Sequence, residues 1–164
     1  MGELAGVGPR FGGFLSVTDS DWSSSIELNL LSAIRAVRAA VPALLARGGG
    51  AIVNVSSVNA FLPDPSVVDY AASKAALTNL GKSLSAEFGP QGIRVNTVPP
   101  GPVRTPLWTA PGGLGDQLGG AMRTDLDGAM QAMADGLGGS SDGSAPPRRL
   151  PTSSCSSPAR PPPG

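Results

Sequence analysis

The sequence predicts an α/β protein whose strands run parallel, and three observations carry that reading. Between Phe14 and Val98 the hydrophobic pattern alternates helix, strand, helix, strand. Both strand-like runs, "AIVNV" and "IRVNTV", are short and rich in β-branched residues, as strands buried inside a sheet are. A helix between consecutive strands implies a parallel layer joined by right-handed crossovers.

The first helical stretch, "SVTDSDWSSSIELNLLSAIRAVRAAVPALLARGGG", reads as one long helix or two with a bend. Thr18 followed by Asp21 forms a capping-box pattern, and the acids Asp19 and Asp21 suit the positive end of a helix dipole. Trp22, Ile26, Leu30, Ile34, Val37, Val41 and Leu45 keep a helical period until Gly48–Gly50 stop it. Pro42 is expected to kink the last turns. The run "AIVNV" is apolar at most positions, which predicts a strand covered on both faces. Prolines and Asp64 break "SSVNAFLPDPSVVDY" into a loop. A second helix follows over about 67–88, closed by Gly89-Pro90, and its small residues Ala71, Ala72, Ala75 and Ala76 permit close packing. Then comes the second strand, "IRVNTV".

Beyond Pro106 the pattern fades. Leu118, Met122, Leu126, Met130 and Met133 recur at spacings of four and three, which fits a weak amphipathic helix or a mobile flap over 111–137. Its glycines weaken the helical signal, and its methionines read as packing residues. Residues 138–164 show no periodicity and are predicted to be disordered. Residues 1–13 form a glycine-rich lead-in to the patterned domain, 14–110.

Composition narrows the function classes. The length of 164 residues fits one domain. Twelve Lys and Arg balance twelve Asp and Glu, so nothing points to nucleic acid or an anionic membrane. The chain has no histidine, which excludes a Ser-His-Asp triad, a Cys-His dyad and histidine-bound zinc. A single cysteine, Cys155, permits neither an internal disulfide nor a cysteine metal cage, so no metal site is expected. No apolar run approaches the roughly 20 residues that span a bilayer. The first residues lack the basic and apolar regions of a signal peptide, and Gly6 breaks a myristoylation pattern. The expectation is a cytoplasmic protein.

Chemistry enters at "YAASK". Tyr70 and Lys74 are four residues apart, which stacks phenol and ammonium on one helix face. Thirteen residues earlier Ser57 ends "AIVNVSS", at the carboxyl end of a strand, where parallel sheets bind their ligands. An ammonium beside a phenol favours the phenolate form. Tyr70 could then exchange a proton with a substrate alcohol or carbonyl while Ser57 holds the same oxygen. Ser56 is the competing serine, and its side chain is expected to point the other way.

From Phe14 to Trp108 the chain resembles the short-chain dehydrogenase/reductases. "NVSS" is similar to the family's serine segment and "YAASK" to its Y-x-x-x-K. "LNLLSAIRAVRAAVP" is similar to the helix carrying the family's asparagine, and "IRVNTVPPGPVRTPLW" to its strand and P-G loop. The resemblance implies a Rossmann-like doubly wound parallel sheet and reversible hydride transfer between NAD or NADP and a small alcohol or carbonyl. It makes Tyr70 the general acid/base, Ser57 the oxygen clamp, Lys74 the ribose ligand and Asn29 the holder of a relay water. It also sets Pro100, Gly101, Val103 and Thr105 along the nicotinamide and pyrophosphate. Pairing of copies through the two long helices is a further implication.

The resemblance has gaps. The T-G-x-x-x-G-x-G turn that opens the family's first helix has no counterpart, so the sheet is expected to be partial and to lack the first βαβ units. Across "APPRRLPTSSCSSP" a one-base shift of reading frame permits an acidic, then leucine-rich helix, which predicts a frame-shifted tail. Little dehydrogenase activity is therefore expected of this chain. The rival readings are a non-catalytic oligomerisation remnant and an inactive gene fragment.

Overall fold

The computed structural model describes residues 8–136. Helix α1 (Asp19–Ile26) begins at Thr18, whose Oγ1 accepts the Asp21 N–H at 3.2 Å. The Asp21 carboxylate in turn accepts the Thr18 N–H at 2.9 Å, which completes the capping box. A π-helical turn (Glu27–Leu31) continues directly into α2 (Ser32–Ala46). The stretch is thus one continuous helix. Its widened turn falls at Asn29, and α2 runs on through Pro42. Wide turns of this kind recur at functional sites, where the extra residue re-aims a side chain.

Strand β1 (Gly50–Val55) leads through loops to α3 (Val68–Phe88), and β2 (Ile93–Val98) follows. The strands pair in parallel from Gly50 opposite Ile93 to Val55 opposite Val98. Val37 and Val41 of α2 meet Ile93 and Val95 of β2 in one core, joined by Ile52 and by Leu84 and Phe88 of α3. Both helices therefore cover the same face. Gly81 lets α3 lie close to it, since a Cβ there would stand 2.4 Å from Thr97 Oγ1.

The opposite face corrects the expectation of a strand covered on both sides. Val53, Val55 and Val98 are exposed on it, at 60%, 59% and 48%. Alternate residues of a strand leave on opposite faces, and the described helices pack only where Ile52 and Val95 emerge. Local composition cannot show which of two apolar faces receives a partner.

The weak pattern after Pro106 resolves into three helices, α4 (Pro106–Thr109), α5 (Leu114–Met122) and α6 (Leu126–Gly136). They share a separate core of Trp108, Leu114, Leu118 and Ala129, flanked by Met130 and Met133. The glycines assist this packing. A Cβ on Gly115 would stand 2.5 Å from the Trp108 carbonyl oxygen, and one on Gly119 2.8 Å from that of Thr124. The expectations for residues 1–7 and for 138–164, the frame shift included, lie outside the described residues.

The continuous helix Asp19–Ala46 also corrects the reading that no stretch reaches membrane-spanning length. By length and composition alone it is long and apolar enough to cross a membrane. Arg35 and Arg38 interrupt the apolar run, yet the alanines, leucines and valines around them outweigh two charges. In the fold its Val37 and Val41 face the sheet.

Candidate active site

The two serines after β1 diverge, as successive residues of an extended chain must. Ser56 Oγ donates to the Lys74 carbonyl at 2.9 Å and lies 2.6 Å from Thr78 Oγ1, so it is held against α3. Ser57 turns away from α3, and its Oγ accepts the Asn59 N–H at 3.2 Å at the start of a short 3-10 turn, Val58–Ala60. The Val58 N–H donates to the Pro100 carbonyl at 3.1 Å, which ties this loop to the one leaving β2.

Tyr70 and Lys74 occupy successive turns of α3. The Lys74 Nζ lies 5.6 Å from the Tyr70 ring centroid and donates to the Val55 carbonyl at 3.0 Å. Burial pushes the Lys74 pKa down from its ordinary value. The ammonium is thus fixed between the end of β1 and the phenol ring.

What anchors this end of α3 was not visible in the sequence. Asp69, 1% exposed, receives Arg10 Nη2 at 2.6 Å, Arg10 Nε at 3.3 Å and Ser25 Oγ at 2.6 Å. Arg10 also reaches Asp21 at 3.1 Å. Burial works to raise the Asp69 pKa, but hydrogen bonds from Arg10, Ser25 and the Tyr70 N–H outweigh it and hold the carboxyl below its ordinary value. The hydrogen bond to Asp69 raises the Arg10 pKa in turn. One guanidinium so joins the lead-in, α1 and α3 immediately beside Tyr70. The partners are 59 residues apart, and only an arginine in a glycine-rich segment hinted at the link.

Ser57, Tyr70 and Lys74 line one cavity of about 380 Å³. Pro100, Gly101, Val103 and Thr105 line it from the loop after β2, and Leu107, Trp108 and Leu114 close it from the helical flap. Met133 also reaches this wall. Asn29 is set apart. It lines an adjoining groove of about 590 Å³ that follows Ala51–Val55 beneath α2 and shares Val55 and Lys74 with the first cavity. Its Nδ2 donates to the Ser25 carbonyl at 3.0 Å. Asn59 lines the main cavity without having been singled out in the sequence, because a lone asparagine in a loop carries no periodic signal.

Residues 3–111 match the family model for short chain dehydrogenases. Dehydrogenase/reductase SDR family member 4 from Rattus norvegicus is 42% identical over 101 residues, covering 62% of this chain and 36% of the rat protein. Oxidoreductase UcpA from Escherichia coli (strain K12) is 41% identical over 99 residues, 60% of this chain and 38% of that one. Among solved structures, L-sorbose reductase from Gluconobacter frateurii complexed with NADPH and L-sorbose superposes with a TM-score of 0.67 at 32% identity, over 79% of this chain and 47% of that chain. A 4-hydroxyisoleucine dehydrogenase complexed with NADH gives a TM-score of 0.56 at 33% identity, over 61% and 44%. The chain thus spans well under half the length of the curated relatives it matches.

Proposed function

This chain belongs to the short-chain dehydrogenase family, and from that premise we propose that its cavity is the proton-transfer half of an NAD(P)-dependent oxidoreductase site. The named relatives are oxidoreductases, and solved neighbours hold NADH or NADPH. The substrate is read as a small alcohol or carbonyl compound. The observation that carries this reading is the meeting of the Ser57 hydroxyl, the Tyr70 phenol and the Lys74 ammonium on one cavity.

Each group has a separable task. Ser57 Oγ already accepts the Asn59 N–H, which leaves its own proton to donate to the substrate oxygen. Tyr70 delivers its phenol proton to that oxygen in reduction and recovers it in oxidation. Lys74, pinned by Val55, places positive charge beside the ring. Asn29, on the groove that shares Lys74, would orient a water for proton exchange with solvent.

The residues present fit the nicotinamide end of the cofactor. Gly101 borders open space, since a Cβ there would meet nothing within 4 Å, and a flat ring can lie against that backbone. Pro100, Gly101, Val103 and Thr105 would hold that end, and the bound nicotinamide supplies or accepts the hydride. Among the described residues no strand passes through a T-G-x-x-x-G-x-G turn into a helix beside the cavity, so among them the pyrophosphate lacks its usual seat. Weak cofactor binding and little turnover by this chain alone are the expected result.

Two titrations test the reading. Tyr70 is the only tyrosine, so ring-labelled tyrosine gives one NMR signal that reports this site. Cyclohexanone should shift it, and Ser57→Ala should weaken that binding about tenfold, as expected for a lost hydrogen bond. An unmoved signal would sink the proposal. NADH and NADPH fluorescence should show weak, unsaturated binding; saturable micromolar binding with turnover abolished in Tyr70→Phe would show that this chain is a competent enzyme.

A further inference from the structure

We propose that Asn59 orients the substrate by hydrogen-bonding a second, uncharged oxygen beside the reacting carbonyl, so that the site selects neutral hydroxyketones and diols over simple ketones. This rests on the cavity being the oxidoreductase site argued above. Asn59 is 6% exposed and lines the cavity. Its backbone N–H is committed to Ser57 Oγ, while its side-chain carboxamide has no hydrogen-bond partner among the described residues. Unlike the Asn54 Nδ2, which is sealed from solvent, this amide keeps an opening, and the cavity is what it borders. A buried amide without a partner is costly, and a cavity-wall amide recovers that cost when a ligand bonds it.

Position and charge define what that ligand is. The Asn59 N lies 3.2 Å from Ser57 Oγ and both residues line the cavity, so Asn59 stands on the same stretch of wall as the oxygen clamp. An oxygen on the carbon next to the carbonyl therefore falls within its reach. The carboxamide both donates and accepts, so a hydroxyl or a second carbonyl satisfies it. Among the described residues Lys74 is the one charged side chain on the cavity wall, and its Nζ donates to the Val55 carbonyl. That ammonium is held against the Val55 carbonyl and the Tyr70 ring, and Val58, Val67, Leu107, Trp108 and Leu114 make much of the remaining wall apolar. The preferred ligand is a neutral one with two neighbouring oxygens on an apolar frame.

The test titrates the full chain with cyclohexanone and with 2-hydroxycyclohexanone, following the Tyr70 signal and the Asn59 side-chain amide by NMR. The hydroxyketone should bind about tenfold or more tightly and shift the Asn59 amide, because a site built for a hydrogen bond rejects the analogue that lacks it. Asn59→Leu should bind both ketones alike, and Asn59→Asp, which keeps an acceptor, should still prefer the hydroxyketone. Should Asn59→Leu fail to fold, Asn59→Ser withdraws the amide with less disturbance and serves the same comparison. Equal affinities in the unmodified chain, or a preference that survives both Asn59→Leu and Asn59→Ser, would overturn the role of Asn59 while leaving the cavity reading intact. Failure of either ketone to move the Tyr70 signal would overturn both.

Discussion

In the sheet half of the molecule, Val37 and Val41 on α2 meet Ile93 and Val95 on β2 across a long span of chain. In the helical flap, Trp108, Leu114, Leu118 and Ala129 come together within one short stretch. The first core forms only when two strands and two helices are all in place. The second is nearly local, and an Arg104–Asp127 ion pair links α6 back to the loop that leaves β2. The cavity lies at their seam: Ser57, Tyr70 and Lys74 come from the sheet half, Leu107, Trp108 and Leu114 from the flap. On the proposed function the proton-transfer groups stand in the region with long-range pairing, while the flap, with its own nearly local core, shapes the cavity.

The largest effect is expected from Trp108→Ala. Truncating this buried ring should cost the flap about 3–5 kcal/mol. Hydrogen exchange should then show α5 and α6 amides losing protection while those of β1 and β2 keep theirs. Simultaneous loss in both regions would mean that the two cores fold as one unit. Ile93→Ala, at a fully buried position, offers the reverse experiment on the sheet half.

Next in size is the Arg10–Asp69 contact, which belongs wholly to the sheet half. Arg10→Met leaves a buried carboxylate without its cation, held only by Ser25 and the Tyr70 N–H, a change that costs about 3 kcal/mol when such a pair is broken. Its pH dependence has a definite sign. The folded-state pKa of Asp69 is depressed, so its contribution is complete above the unfolded carboxylate value, about 4, and is lost as pH falls through the lower folded value. In Arg10→Met, burial acts with less opposition, and the acid unfolding midpoint should move to higher pH. An unchanged midpoint in a circular-dichroism titration would show that Arg10 does not hold this carboxylate ionised. The smallest effect is expected at the seam. Arg104 and Asp127 are exposed, so Arg104→Ala should cost under about 1 kcal/mol and leave unfolding midpoints nearly unchanged. A cost above that figure would make the ion pair a principal attachment of the flap.

Much of the sheet half was legible because its signals are short-range. The Thr18–Asp21 box, the β-branched strands and the four-residue spacing of Tyr70 and Lys74 each depend on a few neighbouring residues. The alternation of an extended chain likewise separates Ser56 from Ser57 without knowledge of the fold. The flap was read only as a weak helix, because its glycines lower helix propensity locally while serving contacts at Trp108 and Thr124 that propensity does not register. The bare sheet face was misjudged for a related reason, since an apolar strand looks the same whether one or two layers cover it.

Residue order alone thus pointed to the parallel α/β class through periodicity, to the grouping of Ser57, Tyr70 and Lys74 through spacing, and to the family through the resemblance of its separate motifs. Contacts between distant segments supplied the rest. They place Asn29 on a neighbouring groove, anchor Asp69 through Arg10 and Ser25, and bring Asn59 and the flap to the cavity wall. No pairwise spacing encodes those approaches, because loop closure costs only a slowly growing entropy with length and leaves the partner's position to the packing of the whole chain.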